Sequence, residues 1–475
     1  MRSTALKPLA LGTALVMGAA VPVAADGHIK GVGEVTAVLA EATTATTPEQ
    51  MTDGQSGDTE FPYIGNLKAL ATVGEVDAAN GLGLTGYPDG QAAWLAYDDT
   101  VRVAYQSEKY ATMSSETYPW VMDSGANFTG SHIHTHDYDR AGLSEFLSND
   151  AAAADILKGT GNLFSTVFNV FGEEVVPLAE GGAWGNSALP DGSTVGFAPA
   201  MQLSNGDYFF QSFCGAYSEP ADKYGEGLGF ADPVWLTGEE RNIQSMFDTV
   251  DAEGNVIESV IDATETMGLA SIAVDIASGV AYTVPALGQT GYEKIMPINP
   301  GSTDHVVVVL AGYNHDLEPA PLKIYVGVKG MTADGTEIAA DANERDQFLA
   351  RNGLLHGKIY GLALANEAYA DLDIEADPSS KMMDAWLTNA DAPESFEAVF
   401  APTSFQWGGW DSPVAVGQTE MTLWQAADEQ PEGYTFFNGD SKTEHPAVDP
   451  DITKQRYVQN MTQEGGLIAL DLEGM

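Results

Sequence analysis

The chain has 475 residues, with 68 acidic side chains against 20 basic ones and a formal net charge of −48. Such a surface repels nucleic acid and anionic membranes, because binding them requires Lys and Arg to neutralise phosphates. A hydrophobic content of 44% and an aromatic content of 9% are those of a globular protein, which excludes a disordered chain.

The excess charge has two physical readings. Salt water can screen it, or the carboxylates can collect Ca²⁺, a hard cation that takes six to eight oxygen ligands.

The N-terminus predicts export. Arg2 and Lys7 form a short positive region, Leu9–Val23 is apolar or small, and Val23-Ala24-Ala25-Asp26 fits a cleavage site. At 15 residues, broken by Gly12, Gly18 and Pro22, the apolar stretch is shorter than the roughly 20 that span a bilayer. Residues 1–25 are therefore expected to be a signal peptide. Their removal deletes two positive charges and takes −48 to −50. Without a twin-Arg pair, the general secretion route is expected, and the mature chain is expected in the periplasm or outside the cell. Residues 26–60, rich in Thr, Ala, Glu and Gly, read as a flexible lead-in.

From Phe61 onward the texture is short apolar runs between turn residues. Ala93–Tyr97, Val101–Tyr105, Tyr208–Phe213, Ile272–Ile276, Val306–Leu310 and Lys323–Val328 read as strands. Asn205-Gly206-Asp207, Asp251–Asn255, Ser278-Gly279 and Asp334-Gly335 read as turns. Many short strands at close spacing predict an all-β sandwich, barrel or propeller. Length favours a β-propeller over residues 61–475, a single domain that would fill six to eight blades at roughly 40 to 50 residues each, although no crisp repeat fixes the count. Helices are expected only as short insertions, at Ser144–Lys158 and Asn343–Arg351.

The candidate chemistry rests on a few residues. Cys214 is the one cysteine, so the chain has no internal disulfide. A lone thiol is either a buried inert residue or one kept for chemistry. It lies in Phe213–Glu219, upstream of Glu239 and Glu240, and spacing alone leaves both readings open. Glu293 precedes the apolar run Ile295–Ile298 and fits the mouth of a strand. His132, His134 and His136 would share one face of a strand. At about 7 Å per two residues, all three cannot reach one ion, which leaves a two-His metal site or a solvated strand face. No phosphate loop, Gly-x-Ser-x-Gly elbow or His-Glu-x-x-His helix is present.

Five segments in order resemble the PhoX-type alkaline phosphatases and their propeller relatives, over roughly residues 90 to 425. They are Val101–Glu108 (VRVAYQSE), Trp235–Glu240 (WLTGEE), Tyr282–Glu293 (YTVPALGQTGYE), Lys323–Gly327 (KIYVG) and Leu349–Gly361 (LARNGLLHGKIYG).

The resemblance implies a propeller whose central site gathers calcium and ferric iron (Ca²⁺ and Fe³⁺) through carboxylates and a cysteine, and hydrolyses phosphomonoesters. By position it implies metal-ligand roles for Cys214, for Glu239 or Glu240, and for Glu293, with Asp411 as an outer candidate. The family's Arg-Pro-Glu segment before a Gly-x-Trp-Asp turn is missing. Here Phe405–Pro413 keeps Trp410-Asp411, and no Arg lies between Arg351 and Arg456.

The expected activity is thus an exported, metal-dependent hydrolysis of small phosphorylated or ester substrates by a monomer. The alternatives are a non-catalytic calcium-binding propeller serving as a surface or binding module, and a calcium-dependent lactone or ester hydrolase.

Overall fold

The computed structural model describes residues 70–71, 77, 79, 87–108, 120–146, 152–168, 172–177, 208–210, 213–240, 249–250, 256–258, 271–288, 291–313, 320–368, 386, 391, 395–402, 431–440, 443–461 and 466–472. The expected signal peptide, the lead-in at 26–60, the turns at 205–207 and 251–255, and Asp411 lie outside the described residues.

The chain builds mostly strands. β1 (Tyr87–Tyr97) and β2 (Thr100–Glu108) form a hairpin, followed by the short β3 (Trp120–Val121) and β4 (Asn127–Gly130). β5 (Ile133–Asp139), helix α1 (Arg140–Phe146), β6 (Leu157–Asn162), β7 (Thr166–Phe168) and β8 (Tyr208–Phe210) come next. Then follow β9 (Tyr217–Glu219), β10 (Val234–Gly238), β11 (Thr249–Val250), β12 (Val256–Glu258), β13 (Ser271–Asp275) and β14 (Val280–Thr283). β15 (Gly291–Ile298), β16 (His305–Tyr313), β17 (Ala320–Pro321), β18 (Lys323–Val328), helix α2 (Glu344–Arg351) and β19 (Gly357–Ala365) continue the chain. It ends with β20 (Ala398–Pro402), β21 (Tyr434–Phe436), β22 (Asn438–Asp440), β23 (Thr443–Val448), β24 (Arg456–Met461) and β25 (Leu467–Asp471).

Among the described residues the main sheets make a β-propeller of four blades. Blade 1 is β1-β2-β5-β6, blade 2 is β9-β10-β13-β14 with β7 on its outer edge, blade 3 is β15-β16-β18-β19-β20 with β21 also on β19, and blade 4 is β23-β24-β25. The length-based figure of six to eight blades, a count that the sequence left open, exceeds the four formed by the described residues. It divided the length by a compact blade, whereas blade 1 alone runs from Tyr87 to Asn162 and encloses α1 and the β3–β4 pair.

The expected helix at Ser144–Lys158 is also corrected. α1 ends at Phe146, Ala153–Asp155 is a single 3₁₀ turn, and Leu157 already starts β6. The helix expected at Asn343–Arg351 forms as α2, with Asn343 as its N-cap accepting from the Asp346 amide.

Period-two alternation builds the core between blades. On β10, Val234 and Leu236 point into a cluster with Tyr282, Tyr292, Val308 and Phe348, between blades 2 and 3. Trp235, one residue out of phase, points into the cluster of Ala104, Phe128, Ile133 and Phe213, between blades 1 and 2. β16 repeats the device. Val306, Val308 and Leu310 face blade 2, while Val307 and Val309 join Ile324, Tyr457 and Leu470 on the blade 4 side. Strands buried on both faces read as continuous apolar runs, which is why Ile272–Ile276 and Val306–Leu310 stood out without alternation.

Candidate metal centre at the propeller axis

The first strand of each blade lies at the inner end of its sheet. β1 touches β9, β9 touches β15, and β15 touches β23. The ring closes where His445 Nε2 of β23 comes within 3.9 Å of Asp89 Oδ1 of β1.

Three of these four inner strands carry a one-residue bulge at the ring. On β1 it falls between Pro88↔Ser107 and Gln91↔Tyr105, at Asp89-Gly90. On β15 it falls between Tyr292↔Gly312 and Lys294↔Ala311, at Glu293. On β23 it falls between Glu444↔Asn460 and Ala447↔Val458, at His445-Pro446. A bulge breaks the two-residue alternation and re-aims a side chain, and here the re-aimed residues are Asp89, Glu293 and His445. His445 also has a positive φ of 23°, uncommon for any residue but Gly.

Blade 2 supplies the remaining groups from the ends of β9 and β10. Cys214 lies in the segment leading into β9, and Glu240 lies two residues past the end of β10. The Cys214 thiol donates to Glu293 Oε2 at 2.6 Å and faces Asp89 Oδ2 at 3.4 Å. Cys214, Glu240 and Glu293 offer ligand atoms within 4.8 Å of one another, as do Cys214, Asp89 and His445.

Glycine makes the approach possible. A Cβ on Gly215 would sit 2.3 Å from the Glu293 carbonyl oxygen and 2.7 Å from the His445 ring, and one on Gly90 would sit 2.1 Å from the Ala216 amide nitrogen.

Of the sequence candidates, Cys214, Glu240 and Glu293 converge. Glu239 is buried but stays outside both groups, because it bridges Phe213 in the strand ladder and its side chain diverges from that of Glu240. Asp89 and His445 were missed. Their signal was Gly90 and Pro446 inside strands, residues that mark bulges; Pro88-Asp89-Gly90 reads more readily as a turn.

Electrostatically the site calls for a cation. Burial, then the carboxylates of Glu293, Asp89 and Glu240, push the Cys214 thiol far above the usual thiol range. Burial likewise raises Asp89 despite the Cys214 hydrogen bond. By themselves these groups keep the thiol protonated and unreactive. A cation held among them would reverse the field and favour the thiolate form of the sulfur. The donor set fits. Three carboxylates suit Ca²⁺ or ferric iron, and sulfur with imidazole suits iron or zinc.

The three histidines of β5 and its N-terminal neighbour take no part. The expected solvated face is buried: His132, His134 and His136 lie beneath 6% exposure or at it. His134 stacks on His132 at 5.7 Å between ring centroids, and Tyr105 lies 5.4 Å from His134 and 5.7 Å from His136. β2 contributes Tyr105 to the histidine face, turning a polar-looking strand into an aromatic layer.

Burial lowers His136 to about 4, against the opposing pull of Asp77 and Asp137. The unfolded chain therefore binds a proton between pH 6.5 and about 4 that the native state does not, so stability rises with pH across that window. Acidification through it is expected to cost on the order of 3 kcal/mol. Urea unfolding of the wild type and of His136→Phe at both ends of the window checks this. The variant should lose the difference, and equal slopes would remove His136 as its source.

Among the described residues, no helix is long and apolar enough to cross a membrane. Comparison with known proteins found no matching family model, curated protein or solved structure.

Proposed function

We propose that this chain is an exported, metal-dependent hydrolase of phosphoric esters. The observation that carries this reading is a pair of ligand groups that share the Cys214 thiol, one with Asp89 and His445 and one with Glu240 and Glu293, drawn from all four blades. Cys214, Glu240, Glu293, Asp89 and His445 would hold the metal, with calcium as the main ion and ferric iron as a second.

A bound cation supplies a Lewis acid for a phosphoryl oxygen and offsets the charge that develops in transfer. The protein's own part is positional. The bulges hold Asp89, Glu293 and His445 inward on rigid strands, and the buried Cys214 and Glu240 close the floor against water. With a net charge of −48, the chain also needs local cations before an anionic ester can approach.

A metal inventory of the purified protein and hydrolysis of a chromogenic phosphate ester test the reading. Chelation should abolish hydrolysis, and Ca²⁺, alone or with iron, should restore it. Bound calcium without any hydrolysis of phosphate esters or lactones would instead support a binding module, the reading favoured by the missing Arg-Pro-Glu. Equal rates for wild type and Cys214→Ala would remove the thiol from the mechanism.

A further inference from the structure

Glu293 is followed by Lys294, and the bulge at Glu293 breaks the alternation that would otherwise separate the two side chains. Lys294 is half-buried, its ammonium lies 5.6 Å from the centre of the Tyr217 ring, and it feels the Asp89 carboxylate. Among the described residues it makes no hydrogen bond and no ion pair.

That sets it apart from two other half-buried lysines. Lys223, against the same Tyr217 ring, is bonded to Glu219 at 2.9 Å, and Lys329 donates to the Gly227 carbonyl. A partly desolvated ammonium without an anion is costly to keep, the more so in a chain with 68 acidic residues available to pair it.

Resting on the proposed metal centre, we infer that Lys294 is its anion-binding residue. Its ammonium, seated on Tyr217, takes a non-bridging oxygen of a phosphate group whose other oxygens would face the cation that Asp89, Cys214 and Glu293 would hold. A lysine serves here as a point charge on a flexible stem rather than as a bidentate fork. It would do the work for which the chain has no arginine between Arg351 and Arg456.

The test is inorganic phosphate binding to the full-length, calcium-loaded protein, followed by calorimetry, together with steady-state hydrolysis of a phosphate ester. Wild type, Lys294→Met and Lys294→Arg are compared, with calcium content measured on each. Loss of one charge-assisted contact should weaken phosphate binding by about 10- to 100-fold in Lys294→Met. KM should rise with calcium content unchanged, and Lys294→Arg should recover part of the affinity.

Unchanged phosphate affinity in Lys294→Met overturns the inference while leaving the hydrolase reading standing if turnover persists. Phosphate binding that depends on Lys294 without any hydrolysis supports the inference and removes the hydrolase reading. A variant altered in calcium affinity alone makes Lys294 a charge-balancing group and overturns the inference. Wild type that neither binds phosphate nor turns over ester overturns both.

Discussion

Glu293→Gln is expected to lower phosphate-ester hydrolysis by about 100-fold or more and to release metal from the purified protein. The substitution keeps the size of the side chain and leaves the bulge in place, so it removes charge and little else. Glu293 is fully buried, and its Oε2 lies 2.6 Å from Cys214 Sγ, at the meeting of the site's two ligand groups. A neutral amide there takes away one anionic ligand and part of the charge that makes a cation favourable.

Activity and metal content should fall together, and excess Ca²⁺ should recover part of both. Retention of full metal content with full activity would show that Glu293 is a buried structural acid. The same assay on Glu239→Gln supplies the contrast. Glu239 lies outside both ligand groups, so its variant should keep its metal.

Trp235→Ala is expected to cost about 3 to 5 kcal/mol of stability. The indole is fully buried between blades 1 and 2, among Ala104, Phe128, Phe213 and Ala281. Its Nε1 donates to Gln106 Oε1 of β2 at 3.2 Å. Truncation leaves a cavity too large for neighbouring blades to collapse into, and it strands a buried amide oxygen.

Trp235→Phe separates the two costs, since it fills most of the cavity and loses the hydrogen bond, for about 1 to 3 kcal/mol. Urea midpoints of the metal-free proteins measure both. An alanine variant within about 0.5 kcal/mol of wild type would mean that the seam is far looser than its packing indicates. β10 runs from this seam to Gly238, two residues before Glu240, so the alanine variant should also weaken metal binding. The phenylalanine variant should do so less.

The choice between ions follows from export and ligand chemistry together. If the chain is exported unfolded, as proposed, it would take up its metal outside, where calcium is abundant and iron scarce. Asp89, Glu240 and Glu293 offer the oxygen ligands calcium needs, while the Cys214 sulfur and His445 imidazole are wasted on calcium and suit iron. Iron and calcium present together would account for the whole donor set.

The strands were legible in the sequence because alternation and turn chemistry are local. Lys323–Val328 is a strand at the bounds expected, and Ser278-Gly279 turns β13 into β14. Cys214, Glu240 and Glu293 were named as metal ligands through the resemblance, since residue type and spacing alone left the reading of a buried thiol and surface acids open. Blade number was not legible, because insertions such as α1 lengthen a blade without adding a strand. Nor was the fate of the histidine row, where alternation put three imidazoles on one face but Tyr105, on another strand, decided that the face is dry.

By itself, then, the sequence determined an acidic all-β chain with short strands and a small set of candidate metal ligands. The tertiary structure decided which of them meet. It brought in Asp89, 125 residues from Cys214, and His445 from the last blade, and it left Glu239 in the strand ladder. The physical reason is that a bulge turns a side chain by one residue of register against a partner strand. Which way that side chain then points depends on the neighbouring blades around the axis, and no local pattern encodes their arrangement.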